Sequence, residues 1–146
     1  MAVIVDDHIL RFCLAGREPG EVARVRRRGR LYTSGLWYHR LCRGLAAARL
    51  GGVHSSRLAS LPTEEAARLL ATCEHLPAAV RVVSLRELAW SMAVILRDHR
   101  LNLLQLEAVA VARRVAGTIC VWERDDSPQL RRAADILGVP FLAVPL

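Results

Sequence analysis

Short apolar runs bounded by turn residues alternate along this chain with longer stretches in which apolar side chains recur every three or four positions. Val3-Ile4-Val5 reads as a short strand buried on both faces, of the kind found in parallel sheets. Ile9 to Leu14 begins a helix, ended by Gly16, Pro19 and Gly20. An arginine-rich segment leads to Leu31-Tyr32-Thr33, a second short strand. Thr33 or Ser34 is placed to cap a helix running to about Leu50 and closed by Gly51-Gly52, and Val53 to Leu61 reads as a loop. Thr63 caps a helix from Glu64 to His75 with glutamates in its first turn, and Val80 to Val83 is a strand. Ser84-Leu85-Arg86-Glu87 has the form of a capping box and opens a helix to about His99. A further helix covers Leu103 to Val115 and stops at Gly117, followed by a strand from Thr118 to Trp122. Ser127-Pro128 reads as N-cap and first position of a helix ending at Gly138, and Phe141 to Val144 is the last strand.

Strands and helices alternate, with no internal repeat and no linker dividing the chain. The expected architecture is α/β, a three-layer sandwich around a mainly parallel central sheet, in one domain spanning 1–146. In such sheets ligands bind beyond the carboxyl ends of the strands. Two acidic pairs fall there: Asp6-Asp7 after the first strand, and Asp125-Asp126 shortly after Trp122.

Composition narrows the function classes. The chain has 146 residues, 53% hydrophobic and 24% charged, enough for a packed core. No apolar run approaches the roughly 20 residues of a membrane span. The opening Met1 to Asp7 has no basic region before its apolar residues, so no signal peptide is expected, and the cytoplasm is the expected compartment. Cys13, Cys42, Cys73 and Cys120 are scattered singly, which suits small buried hydrophobes better than a zinc site or disulfides. Trp37, Trp90 and Trp122 read as packing residues. The formal charge is +7 with no lysine, so every basic side chain counted in that charge is arginine. Arg24, Arg26, Arg27, Arg28 and Arg30 lie within seven residues, a run suited to bidentate phosphate contact or, alternatively, to a solvated surface loop.

Two families resemble parts of the chain. Val3-Ile4-Val5-Asp6-Asp7-His8 resembles the opening of response-regulator receiver domains. That family also requires an aspartate after its third strand and a lysine after its fifth; no Asp lies between Asp7 and Asp98, and there is no Lys. The second likeness covers more. Leu101-Asn102-Leu103-Leu104-Gln105-Leu106-Glu107-Ala108-Val109-Ala110-Val111-Ala112 resembles the helix of PIN domains written L-[ST]-x-x-D-A-x-x-x-A-x-A. Ile119-Cys120-Val121-Trp122 and Asp126-Ser127-Pro128 through Pro140 are similar to that family's closing strand, acidic turn and helix, and Asp6 with Leu10 fits its D-x-[SN]-x-L opening.

The PIN resemblance implies a metal-dependent ribonuclease, related to toxins of toxin–antitoxin systems, in which three or four carboxylates hold one or two Mg²⁺ or Mn²⁺ ions. A hard cation takes oxygen ligands, activates water and screens charge on the scissile phosphate. Carried over position by position, Asp6 stands at the first acidic place, Asp126 or Asp125 at the last, and Gln105 where the helix should carry Asp. Asp7 and Asp125 are further metal-ligand candidates. The second acidic place, at Gly35-Leu36-Trp37-Tyr38-His39, holds no acid, and His39 is a candidate only for a transition metal. Glu107 is turned about 200° round the helix from Gln105, away from the face shared by Leu101, Ala108 and Ala112. Structural roles compete for the rest: Asp126 is placed to cap the next helix, and Glu87 belongs to its capping box. The expectation is therefore a PIN-like domain with a reduced acidic site that binds nucleic acid, RNA before DNA, or a protein partner. An active Mg²⁺- or Mn²⁺-dependent endoribonuclease and a non-nucleolytic interaction module are the alternatives, and a homodimer with no membrane association is expected for either.

Overall fold

The computed structural model describes residues 1–51 and 62–146. The loop expected at Val53 to Leu61 lies outside the described residues, as does Gly52. Five strands form one wholly parallel sheet in the order β3-β2-β1-β4-β5: β1 Val3–Val5, β2 Leu31–Thr33, β3 Val80–Val82, β4 Thr118–Trp122 and β5 Phe141–Val144. The helices are α1 Asp7–Leu14, α2 Gly20–Arg26, α3 Gly35–Gly51, α4 Thr63–Glu74, α5 Leu85–Asp98, α6 Leu103–Val115 and α7 Pro128–Ile136. No helix among the described residues is long and apolar enough to cross a membrane.

Helices cover both faces because the central strands β1 and β4 are apolar on both. Successive side chains of a strand point to opposite faces. Val3, Val5, Leu31, Val80 and Cys120 join a core built with α1 to α4, while Ile4, Ile119 and Val121 join one built with α5, α6 and α7. Connections from β1 to β3 thus pack on one face and those from β3 to β5 on the other. The sheet order reverses direction between β1 and β4, and an open α/β sheet presents its crevice at that point, beyond the carboxyl ends.

Several local expectations change. Helix α1 starts at Asp7 because the Asp6 side chain caps it. Part of the arginine-rich segment is helical: α2 follows Pro19, which serves as its N-cap rather than as a terminator, and Val22 anchors it in the core. Pro62, not Thr63, occupies the N-cap of α4. Ser84 does cap α5, but Glu87 does not complete a box; its carboxylate accepts from Arg114 Nη2 at 3.3 Å. The reciprocal box lies instead at Asn102 and Gln105, opening α6. Trp37 is buried as expected, whereas Trp90 is 83% exposed on α5. The buried face of α5 carries Leu88, Met92 and Ile95, and Trp90 is turned roughly 160° from their centre, so helical geometry sends it to solvent. All four cysteines are free thiols.

Candidate functional site

Asp6 leaves β1 at its carboxyl end and is 1% exposed. Its Oδ1 accepts the Ile9 N–H at 2.8 Å, capping α1, and its Oδ2 accepts the Trp122 N–H at 2.7 Å. Burial raises its pKa from the usual carboxylate value to about 7, against the two backbone N–H groups that favour the charged form. Both oxygens of the first acidic position are therefore engaged by backbone.

The next residues supply a different constellation. Asp7 and His8 open α1, and a single 3-10 turn, Glu123–Asp125, carries Asp125 back over them. His8 Nε2 lies 3.2 Å from Asp125 Oδ2, and its ring stands 4.6 Å from that of Trp122. One ligand atom each from Asp7, His8 and Asp125 lies within 4.8 Å of the others, so this group could hold a metal ion. A cation already stands there. Arg40, one turn into α3, donates to Asp7 Oδ1 and, through the same Nη2, to Asp125 Oδ2 at 2.9 Å. Burial works against its charge, but the two carboxylates outweigh that and hold the guanidinium more firmly protonated than usual.

A cleft of about 170 Å³ opens at the point where the sheet order reverses, lined by Asp6, Trp37, Arg40, Gln105, Asp125 and Leu130 among others. It brings together Asp6, Gln105 and Asp125, the first helix and closing-turn positions expected from sequence. Gln105, however, is occupied at home: its side-chain oxygen accepts the Asn102 N–H at 3.2 Å while its own N–H donates to Asn102. Asp126 is turned aside to Arg131; its Oδ2 accepts from that guanidinium, and its buried Oδ1 has no hydrogen-bond partner. Ser127, not Asp126, caps α7. His39 is exposed and is not part of the metal-capable group.

Glu107 is the largest surprise among the acids. It is 3% exposed, and its carboxylate reaches the start of α3, accepting from Gly35 N at 3.2 Å and Leu36 N at 2.8 Å. A carboxylate thus does stand at the second acidic place, supplied from α6. Each of its oxygens is engaged by one N–H of the first turn of α3, groups that have no partner within the helix.

The arginine run lies elsewhere. Val3 N–H donates to the Arg30 carbonyl at 3.0 Å, which sets Arg30 at the amino end of the sheet. Three-residue strands separate that edge from the acids by about 10 Å. Arg26 is tied to Glu18 by two bonds of 2.7 and 2.6 Å. Arg24, Arg27, Arg28 and Arg30 are exposed, and none of the four forms an ion pair among the described residues.

Sequence reasoning missed Arg40, His8 as a cluster member, and the destination of Glu107. The doublet Asp7-His8 at a strand end was a usable signal for His8. Nothing local marks Arg40, one of 21 basic residues. No protein-family model matches the chain, and no curated protein matches it either.

Proposed function

We propose that this chain is a PIN-like domain that binds nucleic acid, RNA in preference to DNA, without cleaving it. The observation carrying the reading is Arg40, whose guanidinium contacts both Asp7 and Asp125 where a divalent cation would otherwise balance them. The PIN resemblance is supported by the parallel sheet with acids at the carboxyl ends of β1 and β4. The set of three or four carboxylates that the resemblance implies is not complete: each oxygen of Asp6 and Glu107 already accepts a backbone N–H, Gln105 is uncharged, and Asp126 is paired with Arg131. Asp7, His8 and Asp125 are the residues that would hold an ion, in competition with Arg40. An imidazole donor there favours Mn²⁺ over Mg²⁺. Binding of nucleic acid then falls to the exposed arginines Arg24, Arg27, Arg28 and Arg30, which form no ion pair among the described residues and suit phosphate.

The test is fluorescence anisotropy with a labelled single-stranded RNA at several salt concentrations, followed by a gel of the same RNA after incubation with Mn²⁺. Salt-sensitive binding, weakened in R27A/R28A/R30A, with intact RNA is expected. Mn²⁺-dependent cleavage that disappears in Asp125→Asn overturns the non-catalytic half; absence of binding overturns the other.

One observation favours a second, protein-binding role. Trp90 and Val94, one turn apart on α5, are 83% and 41% exposed, two large apolar side chains side by side on one helix face. The occupant it suits is a second copy. An antiparallel two-fold pairing of α5 brings Trp90 of each copy level with Val94 of the other and Arg86 level with Asp98. Light scattering on the purified chain tests this: a dimer that becomes a monomer in Trp90→Glu supports it, and a monomeric wild type removes it.

A further inference from the structure

A row of side chains crosses the sheet on the α5–α6 face, set by register: Ile119, Ile4, Tyr32, Arg81. Its chemistry changes along the row. Ile119 and Ile4 are fully buried, Tyr32 is half-buried against the same core, and Arg81 on the edge strand is exposed. A sheet position covered by a helix takes an apolar side chain; an arginine there marks where the cover ends. The uncovered part is a groove of about 550 Å³, floored by Tyr32 and Arg81 and walled by Arg114, Val115 and Glu87. Among the described residues Arg114 is paired with Glu87, at 3.3 Å and exposed to solvent, and such pairs cost little to exchange. Of the arginine run, Arg30 stands nearest in sequence to this groove, just before β2. Arg30 precedes Tyr32 by two residues, and the alternation of extended chain puts it on the same face.

We propose that this groove is a subsite for single-stranded nucleic acid. The Tyr32 ring offers a base-stacking surface, and Arg81 and Arg114, with Arg30 beside them, take the adjoining phosphates. A phenol ring flanked by guanidinium groups matches a sequence-tolerant strand, in which every base has a face to stack and every link a negative charge. A duplex keeps its bases stacked on each other and gains only the phosphate contacts. This inference rests on the nucleic-acid reading above and adds the place and the strandedness.

Anisotropy with a labelled single-stranded RNA of about ten nucleotides tests it, comparing wild type, R81A/R114A, Tyr32→Leu, Tyr32→Phe and, as a distant arginine control, Arg97→Ala. The double variant is expected to bind about tenfold more weakly and to lose about 1.4 from the slope of log affinity against log salt, two single-strand phosphate contacts. Tyr32→Leu weakens single-stranded binding with little change in slope, while Tyr32→Phe retains the ring and the affinity. Wild type favours single strand over duplex, and millimolar free mononucleotide does not displace the strand. Circular dichroism confirms that each variant is folded; should Tyr32→Leu fail, the arginine pair and the strand-against-duplex preference carry the test. Unchanged binding in R81A/R114A, an equal loss in Arg97→Ala, or equal affinity for duplex overturns the groove. If R27A/R28A/R30A still weakens binding while R81A/R114A does not, the groove alone falls and the nucleic-acid reading stands. If wild type binds no RNA, both fall.

Discussion

The Asp6 carboxylate accepts the Trp122 N–H through Oδ2 and the Ile9 N–H through Oδ1, at 2.7 and 2.8 Å. One side chain therefore ties the end of β1 to the end of β4 and starts α1. This residue is a structural fastener at the place where the PIN resemblance expects a metal ligand.

Replacing it should be costly even without metal. Asp6→Ala leaves two donors unmet, one of them a helix cap, for an expected loss of about 2–4 kcal/mol. Urea denaturation in the presence of a chelator measures it. A residue serving only as a metal ligand would show the opposite, since removing its buried charge would leave the metal-free protein as stable or more so.

The same carboxyl predicts a pH dependence. Its pKa is raised on folding to about 7, so the folded state binds its proton more tightly than the unfolded chain. The stabilisation is fully present below the unfolded value near 4 and is lost as pH rises through about 7. In metal-free protein, stability against urea should therefore fall between about pH 4 and 7 by at most ~1.4 kcal/mol per unit from this group, and the trend should disappear in Asp6→Asn. A carboxyl ¹³C titration of Asp6 with a midpoint below 5 would contradict it.

Arg40 sets the charge balance of the cluster. Arg40→Ala leaves Asp7 and Asp125 facing each other without their shared guanidinium. Mn²⁺ affinity, read by calorimetry, should rise by tenfold or more, about 1.4 kcal/mol. Arg40→Lys, which keeps the charge, should stay near wild type. Equal Mn²⁺ binding in wild type and Arg40→Ala would show that the arginine does not occupy the cation's place.

Glu107 holds the start of α3. Glu107→Gln loses the charge in two bonds to Gly35 and Leu36 and should destabilise by about 1–3 kcal/mol. Gly35→Ala should cost less, since its added carbon would stand 3.1 Å from Glu107 Oε1 and the carboxylate needs to give only slightly. Thermal unfolding of both variants checks the order.

Burial pushes the thiols of Cys13, Cys73 and Cys120 up to about 12. In the native protein at pH 8 these three should react with a thiol reagent far more slowly than after unfolding, because thiolate is the reacting form. Rapid native modification of Cys120 would contradict its burial in β4, between β1 and β5.

The elements that packing alone decides were readable in the linear chain. Val3-Ile4-Val5 and Thr118 to Trp122 are apolar on both faces, so they had to be central strands, and the acids that follow them had to meet at one edge. The arginine-rich segment was read less well: its helix rests on Val22 meeting the core and on Glu18 holding Arg26, neither visible as a period. Trp90 was misjudged because a tryptophan's size says nothing of which side of a helix it occupies relative to its neighbours.

What the sequence by itself determined is the alternation of strands and helices, the parallel sheet, and the gathering of acidic residues beyond β1 and β4. The hydrophobic periods and the strand ends suffice for that. Only the tertiary structure decided what those acids face. Asp6 meets Trp122 across 116 positions, Arg40 meets Asp125 across 85, and Glu107 meets Gly35 across 72. A carboxylate looks the same in the sequence whether a metal, a guanidinium or a backbone N–H answers it. Which one does depends on contacts that form only when distant segments fold onto one sheet edge.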